Sequence, residues 1–423
     1  MKSSDLVKNV SWLMVARIYA LLVNALVGVI LVRYLGPGRN GDYNYIISFV
    51  AIFSGISMMG LENVITKEVA NESRSIDNII GSSIVVRAIG FVIAFLFVCV
   101  GTFFVHGANI RTGIIVYAVL LLSSNILSGV TSLCYARNCS NYVAISQVVA
   151  NTIRALFTIG LIYNNKGIEY FVVLLAGEAW ITLAIQWLII LKRKIVLAFS
   201  ASRDTVKYFI NQGLPIVLGS IAITVNLKID QLMIGNMRGS YELGVYSVAV
   251  RIAELWYFIP TTIVAVLVTN LTETRKKDDL LYQKMLQKSF SIMTGLGYLA
   301  GIVTSIFAQV VVINLFGEEY SDAVKVLYIY IWAGIFINTS VLRGGWYVIE
   351  EKTKYSLYCN VIGAISNVII NLVLIPRFGG MGAAVATFIS YMIYAYLSSF
   401  IFKPLREIGM MQTRAILLKG LWK

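Results

Sequence analysis

Nine charged residues fall inside hydrophobic runs of the chain: Arg17, Arg87, Arg154, Glu178, Lys228, Asp230, Arg251, Glu254 and Arg343. Facing lipid at mid-bilayer, each costs roughly 2.5–3.5 kcal/mol on insertion scales, on the order of 25 kcal/mol together. That exceeds the roughly 5–15 kcal/mol net stability of a folded protein. The charges must therefore pair, snorkel or face a wet cavity. Pairing is open to six of them. Arg251 and Glu254 stand three apart on one helical face, with Lys228 and Asp230 at similar depth in the preceding run. Arg154 and Glu178 fall near the middle of adjacent runs. The carboxylates Asp230, Glu254 and Glu178 are also proton-coupling candidates. Desolvation raises a carboxylate pKa and a neighbouring cation lowers it, so a change of surroundings during a cycle moves the proton. Fixed structural ion pairs give the same sequence pattern.

Six cations meet only three acids, and the excess, Arg17, Arg87 and Arg343, lies in the cytoplasmic third of its runs. A wet, cationic cavity open to the cytoplasm accounts for that excess, beside snorkelling. Such a cavity suits an anionic ligand, and the planar guanidinium fork matches phosphate. The candidate substrate-binding set is thus Arg17, Arg87, Arg154, Lys228, Arg251 and Arg343.

Other motifs carry less. Gly36-Pro37-Gly38-Arg39-Asn40-Gly41 fits the dinucleotide pattern GxGxxG. It sits between two membrane runs with no βαβ unit around it, so it reads as a tight turn. No Walker A sequence occurs, and the outer loops, about a dozen residues at most, pair no carboxylates in a catalytic spacing. An enzyme is therefore not expected. Cys99, Cys134, Cys139 and Cys359 lack metal or CxxC spacing, and the single His106 lies in a short loop. No metal and no cofactor are implied. The 24 Tyr and 7 Trp read mostly as interface belt and packing residues, with some able to stack on sugars.

The elements that must hold these charges are membrane helices. Residues AVILMFWYC make up 58% of the 423, and only 13% are charged, half the share usual in soluble domains. Runs at about 11–33, 43–62, 80–104, 113–134, 142–163, 169–191, 211–236, 244–269, 289–315, 323–349, 355–376 and 382–402 are each long enough to cross roughly 30 Å of hydrocarbon. The first contains Arg17 and Asn24 and has no small-residue cleavage pattern, so it reads as a span and not a signal peptide. The net charge of +14 sits in short loops and reads as a set of insertion signals, not a nucleic-acid patch. Twenty-two Lys and Arg residues fall in the termini and even-numbered loops, including Lys192-Arg193-Lys194 and Arg275-Lys276-Lys277, against seven on the other side. The positive-inside rule places both termini in the cytoplasm.

The chain repeats itself. Gly36-x4-Gly41-x-Tyr43 follows the first run and Gly239-x4-Gly244-x-Tyr246 the seventh, and Tyr142, Leu161, Ile162 and Gly167 match Tyr355, Leu374, Ile375 and Gly380. Six spans per half is even, so the halves enter the membrane in the same direction, a parallel repeat. The expected fold is an all-α polytopic membrane protein of about twelve transmembrane helices in two parallel-repeat six-helix bundles. The expected parts are 1–200, 201–402 and a basic cytoplasmic tail, 403–423.

With those residues in view, the chain resembles the polysaccharide transporter family, the O-antigen flippases called Wzx. That family belongs to the multidrug/oligosaccharidyl-lipid/polysaccharide exporter superfamily. The likeness rests on Leu35-Gly36-Pro37-x3-Gly41-x-Tyr43, on Lys228-Ile229-Asp230-Gln231-Leu232-Met233-Ile234-Gly235, and on Glu242-Leu243-Gly244-Val245-Tyr246-Ser247-Val248-Ala249. It continues in Glu254-Leu255-Trp256-Tyr257-Phe258-Ile259-Pro260 and Gly379-Gly380-Met381-Gly382-Ala383-Ala384. The resemblance implies a central cavity between two bundles in the bacterial inner membrane. It implies flipping of an undecaprenyl-diphosphate-linked oligosaccharide, such as the O-antigen repeat of lipopolysaccharide biosynthesis, to the periplasmic leaflet by alternating access. Implied partners are that lipid-linked glycan, membrane lipid, and the polymerase and chain-length proteins of the pathway; no nucleic acid is implied. A multidrug/cation antiporter of the same fold and a membrane glycan polymerase or transferase are the alternatives. The first sits badly with the lack of an acidic lumen, the second with the short outer loops.

Overall fold

The computed structural model describes residues 3–72, 74–137, 139–192 and 199–419. Lys2, Arg193, Lys194 and Lys423, four of the twenty-two cations counted above, lie outside the described residues. The helices are α1 (Ser3–Met58), α2 (Glu62–Ala70), α3 (Ile76–Thr102), α4 (Ala108–Leu127), α5 (Gly129–Ala136), α6 (Ser140–Tyr163), α7 (Ile168–Lys192) and α8 (Arg203–Arg238). They continue as α9 (Ser240–Glu254), α10 (Phe258–Lys277), α11 (Asp279–Phe316), α12 (Ala323–Tyr330), α13 (Gly334–Ile349), α14 (Thr353–Met392), α15 (Ser398–Ile401) and α16 (Arg406–Ile416). Short 3-10 turns join α9 to α10 and α12 to α13, and one π-helical turn, Ile393–Leu397, joins α14 to α15.

Among the described residues, ten helical segments are long and apolar enough to cross a bilayer. Two of these are long enough for two crossings and broken within. A straight helix of the 56 residues in α1 would run about 84 Å, far beyond a bilayer. It is broken at Gly36 (φ 68°, ψ 170°), and α14 is broken at Gly379 (φ 57°, ψ −133°). Counting those breaks gives twelve spans, all helical, as the hydrophobic runs require. Lipid offers the backbone no partner, so each span must satisfy its own N–H and C=O groups. Large apolar side chains such as Leu26, Phe97, Leu156, Ile306 and Leu372 are exposed, as a lipid solvent permits.

The chain divides into two compact units, Met1–Thr224 and Val225–Lys423, with the division inside α8. In the first, α1 packs on α3, α4 and α6, α3 on α4, α6 on α7, and α4 on α7. In the second, α10 packs on α11 and α13, α11 on α13, α9 on α12, and α12 on α14. The neighbour pattern of second, third, fourth and sixth spans thus recurs. Gly239 before α9 takes φ 91°, ψ 173°, close to the backbone of Gly36, so the matching sequences make matching turns. Only glycine enters that region without strain. The second echo is matched less closely. At 162–167 the positive φ belongs to Asn165, and at 375–380 to Gly379.

Three segments that read as loops or tail carry structure. The second loop holds α2, whose Glu68 is buried and pairs with Arg74 at 2.6 Å while accepting from the Tyr208 hydroxyl at 2.9 Å. The eighth loop shrinks to Asp278, because α10 and α11 continue beyond the apolar stretch as a helical hairpin. There Arg275 pairs with Glu350 at 3.0 Å and lies over the Tyr282 ring. The basic tail contains α16, docked on α11: Gln287 Nε2 donates to the Met411 carbonyl at 3.1 Å and the Tyr298 hydroxyl to that of Ile416 at 3.0 Å. Charge had drawn the reading of a basic tail; Ile408, Met411 and Ala415, buried together on one face, supply the reason it folds back.

Candidate functional site

In the N-terminal unit, α1, α6 and α7 bring a polar stripe together. Arg154 lies nine residues before the end of α6 at Tyr163, about 14 Å along the axis, hence near the middle of the hydrocarbon. Its Nε pairs with the Glu178 carboxylate of α7 at 2.7 Å, the partnership that adjacent mid-membrane positions implied. Its Nη2 donates to Asn24 Oδ1 of α1 and to Asn151 Oδ1 at 3.2 Å. On the same two helices the Tyr19 hydroxyl bonds Thr152 Oγ1 at 2.7 Å. Arg17 stands seven residues before Asn24, on the same face of α1, and is exposed. The pair remains partly accessible, with 12% of the Arg154 side chain and 23% of Glu178 exposed.

The C-terminal unit holds a different polar centre. Asp230 of α8 is buried; its carboxylate accepts from the Tyr246 hydroxyl of α9 and from the Gln231 N–H at 2.7 Å. Lys228 reaches across to Glu254 at 3.8 Å. The sequence spacing had paired Glu254 with Arg251. The structure gives Glu254 a partner in Lys228 of α8, while Arg251 lies within electrostatic range of Tyr320. Tyr257, Tyr330 and Tyr391 gather around Asp230 and Glu254.

Arg87 and Arg343 are placed otherwise than expected. Their excess charge implied that both face a wet cavity, yet both side chains are fully buried, each within its own unit. Arg87 Nη1 donates to Ser128 Oγ at 2.6 Å and to the Asn125 carbonyl at 3.4 Å, at the end of α4. The dipole there favours a cation. Arg343 Nη1 donates to Ser398 Oγ at 3.1 Å and Ser399 Oγ at 2.9 Å, and its Nη2 to the Tyr394 carbonyl at 2.6 Å. The Tyr347 and Tyr394 rings cover its guanidinium. The Tyr394 carbonyl belongs to the π-helical turn, whose widened ladder frees backbone groups for an inserted side chain. Sequence depth alone could not tell a brace of this kind from a cavity ligand, because hydroxyls and carbonyls neutralise no charge and leave no mark in a charge count.

The search for charges also passed over uncharged polar residues. In α14, Asn371 Nδ2 donates to Asn367 Oδ1 at 2.8 Å and Asn367 Nδ2 to Ser390 Oγ at 2.9 Å. All three are buried, as is Thr387, and among the described residues Asn371 Oδ1 lacks a hydrogen-bond partner. The signal was present: Asn360, Asn367 and Asn371 recur at seven and four in an apolar helix, one face of a 3.6-residue period. Among the described residues no three of His, Cys, Asp or Glu gather as a metal-ligating group.

Comparison with known proteins agrees with this architecture. The model of the family described as polysaccharide biosynthesis protein matches residues 6–269, and the MatE model matches residues 215–373. The capsular polysaccharide biosynthesis protein CapF of Staphylococcus aureus is 24% identical over 412 residues, covering 94% of this chain and 100% of CapF. The probable flippase AglR of Haloferax volcanii is 25% identical over 176 residues, 38% of this chain and 35% of AglR. Among solved structures, an inward-facing multidrug resistance MATE family transporter of the MOP superfamily superposes with a TM-score of 0.72 at 14% identity, covering 95% and 96% of the two chains. The lipid II flippase MurJ, inward closed, gives 0.69 at 16% identity, covering 97% and 92%.

Proposed function

The chain belongs to the polysaccharide biosynthesis protein family, and from that premise we propose that it flips an undecaprenyl-diphosphate-linked oligosaccharide across the bacterial inner membrane by alternating access. Both termini would face the cytoplasm, where the Lys and Arg excess lies. The observation that carries the reading is the partly exposed polar stripe of Asn24, Arg154 and Glu178 at mid-membrane depth, with Arg17 seven residues earlier on the same face of α1. A glycan crossing hydrocarbon unaided would lose water from every hydroxyl without a replacement partner. A stripe offering donors and acceptors supplies partners, and its arginines suit the diphosphate. Arg17 and Arg154, with Lys228 and Arg251 of the C-terminal unit, are assigned the substrate; Arg87 and Arg343 hold helices in place. Asp230, Glu254 and Glu178 are the candidates for coupling transport to a proton.

The test is purified protein in liposomes with a fluorescent prenyl-diphosphate oligosaccharide. The expected result is movement of the probe between leaflets without covalent change, reduced in Arg17→Ala and Arg154→Ala at equal reconstitution. Drug-driven proton exchange without glycan movement supports the antiporter instead, and a lengthened glycan supports a polymerase.

A further inference from the structure

The turns of the C-terminal unit on the Lys- and Arg-poor side border an open cavity of about 330 Å³, within the size range of small-molecule sites. Its walls are tied together across three turns. Glu242 accepts the Gly380 N–H at 2.8 Å and pairs with Arg238 at 2.8 Å. The Tyr241 hydroxyl donates to the Glu319 carbonyl at 3.3 Å, and Asp322 pairs with Lys325 at 2.9 Å. Tyr241 and Phe378 are 59% and 58% exposed, large rings left open at the mouth.

The charges decide what fits. Each cation in the wall stands beside a carboxylate, so a phosphate entering here meets repulsion as well as attraction. A sugar is suited on both counts. Its hydroxyls donate to Glu242 and Asp322 and accept from Arg238 and Lys325, charge-assisted bonds in each direction. Its C–H face covers an aromatic ring that has an apolar body and, in Tyr241, a polar tip. Next to this cavity, and sharing Phe378 and Met381 with it, lies a second of about 180 Å³ walled by apolar groups of Ile329, Leu374 and Val385. A polar site continuous with an apolar groove fits one amphipathic molecule.

We propose that these joined cavities are an outer-leaflet site for the lipid-linked glycan after translocation, with sugar between the turns, prenyl chain in the apolar groove, and the linking diphosphate left hydrated at the open rim where the two meet, outside the paired charges of the wall. The proposal rests on the flippase reading and on the outward orientation of these turns. It concerns retention and release of the product, apart from the mid-membrane stripe.

The test uses the full chain in nanodiscs with three probes: a prenyl diphosphate bearing one N-acetylhexosamine, the bare prenyl diphosphate, and phosphatidylglycerol. Binding is read by native mass spectrometry, and flipping of the sugar-bearing probe in liposomes. The expected result is about tenfold tighter binding of the sugar-bearing probe than of either other lipid. Tyr241→Ala and Asp322→Asn, at exposed positions, should each reduce that preference to about threefold or less. If both variants keep the full preference while the unaltered protein flips the probe, the site is overturned and the flippase reading stands. If the preference falls in the variants but the unaltered protein flips nothing, the site stands and the flippase reading fails. Equal or tighter binding of phosphatidylglycerol marks ordinary surrounding lipid and overturns the site.

Discussion

Replacing Arg343 in turn by Met, Lys and Ala separates a brace from a ligand, because the two roles rank the variants in opposite orders. Arg343 makes three hydrogen bonds, at 2.6, 2.9 and 3.1 Å, in a fully buried position. Each such bond from a charged donor is worth about 1.5–3 kcal/mol net. Against that stands the desolvation of the guanidinium, a penalty of several kcal/mol that an apolar side chain never meets. Its partners are not orphaned when it goes: Ser398 Oγ also donates to the Tyr394 carbonyl, and Ser399 Oγ to Gln412 Oε1 at 3.0 Å. Arg343→Met should therefore cost only about 0–3 kcal/mol. Arg343→Ala adds a cavity, and the loss should reach about 3–5 kcal/mol. Arg343→Lys should be as damaging as Ala, about 3–5 kcal/mol, since a compact ammonium cannot span three partners and stays charged in the interior. Thermal unfolding of the purified protein gives the ranking, with transport measured per folded molecule. A brace predicts Met above Lys in stability and near-normal transport in the folded Met variant. If Lys proves the more stable and the only one to transport, Arg343 binds substrate and the reasoning is refuted.

Three further outcomes follow from the same geometry. In a double-mutant cycle, Arg154→Met and Glu178→Met should show a coupling of about 1–3 kcal/mol, measured by unfolding; zero coupling would mean that the 2.7 Å pair is screened out. Tyr246→Phe removes the hydroxyl donor from buried Asp230 and should cost about 1–3 kcal/mol, while Asp230→Asn, with no charge to desolvate, should be milder in stability but insensitive to an imposed pH gradient in vesicles. Transport that follows the gradient equally in Asp230→Asn excludes that carboxylate as the coupling group. Gly379→Ala forces a Cβ into φ 57° and onto the Glu242 carboxylate, so its thermal stability should fall below that of Gly239→Ala, where backbone strain of about 1–3 kcal/mol acts alone.

The hydrophobic runs were enough to read the class of fold, because a bilayer demands roughly twenty apolar residues and internally satisfied backbone at every crossing. The turn glycines were legible for a local reason as well: Gly36 and Gly239 take up a backbone region closed to other residues. The Arg154–Glu178 pair followed from depth, since two opposite charges in neighbouring spans have few other ways to be satisfied. What depth could not supply was direction around the helix. Arg87 and Arg343 turn inward to hydroxyls and backbone carbonyls, Glu254 turns to Lys228, and Asp230 finds a tyrosine. Each outcome depends on rotation and packing of helices far apart in sequence, which hydropathy does not encode. The same holds for the buried Asn367 and Asn371 and for α16, folded back on α11. Composition and spacing determined that the chain crosses the membrane and where it turns; only the packed tertiary structure decided which charges face each other, which stay wet, and which serve to hold the helices together.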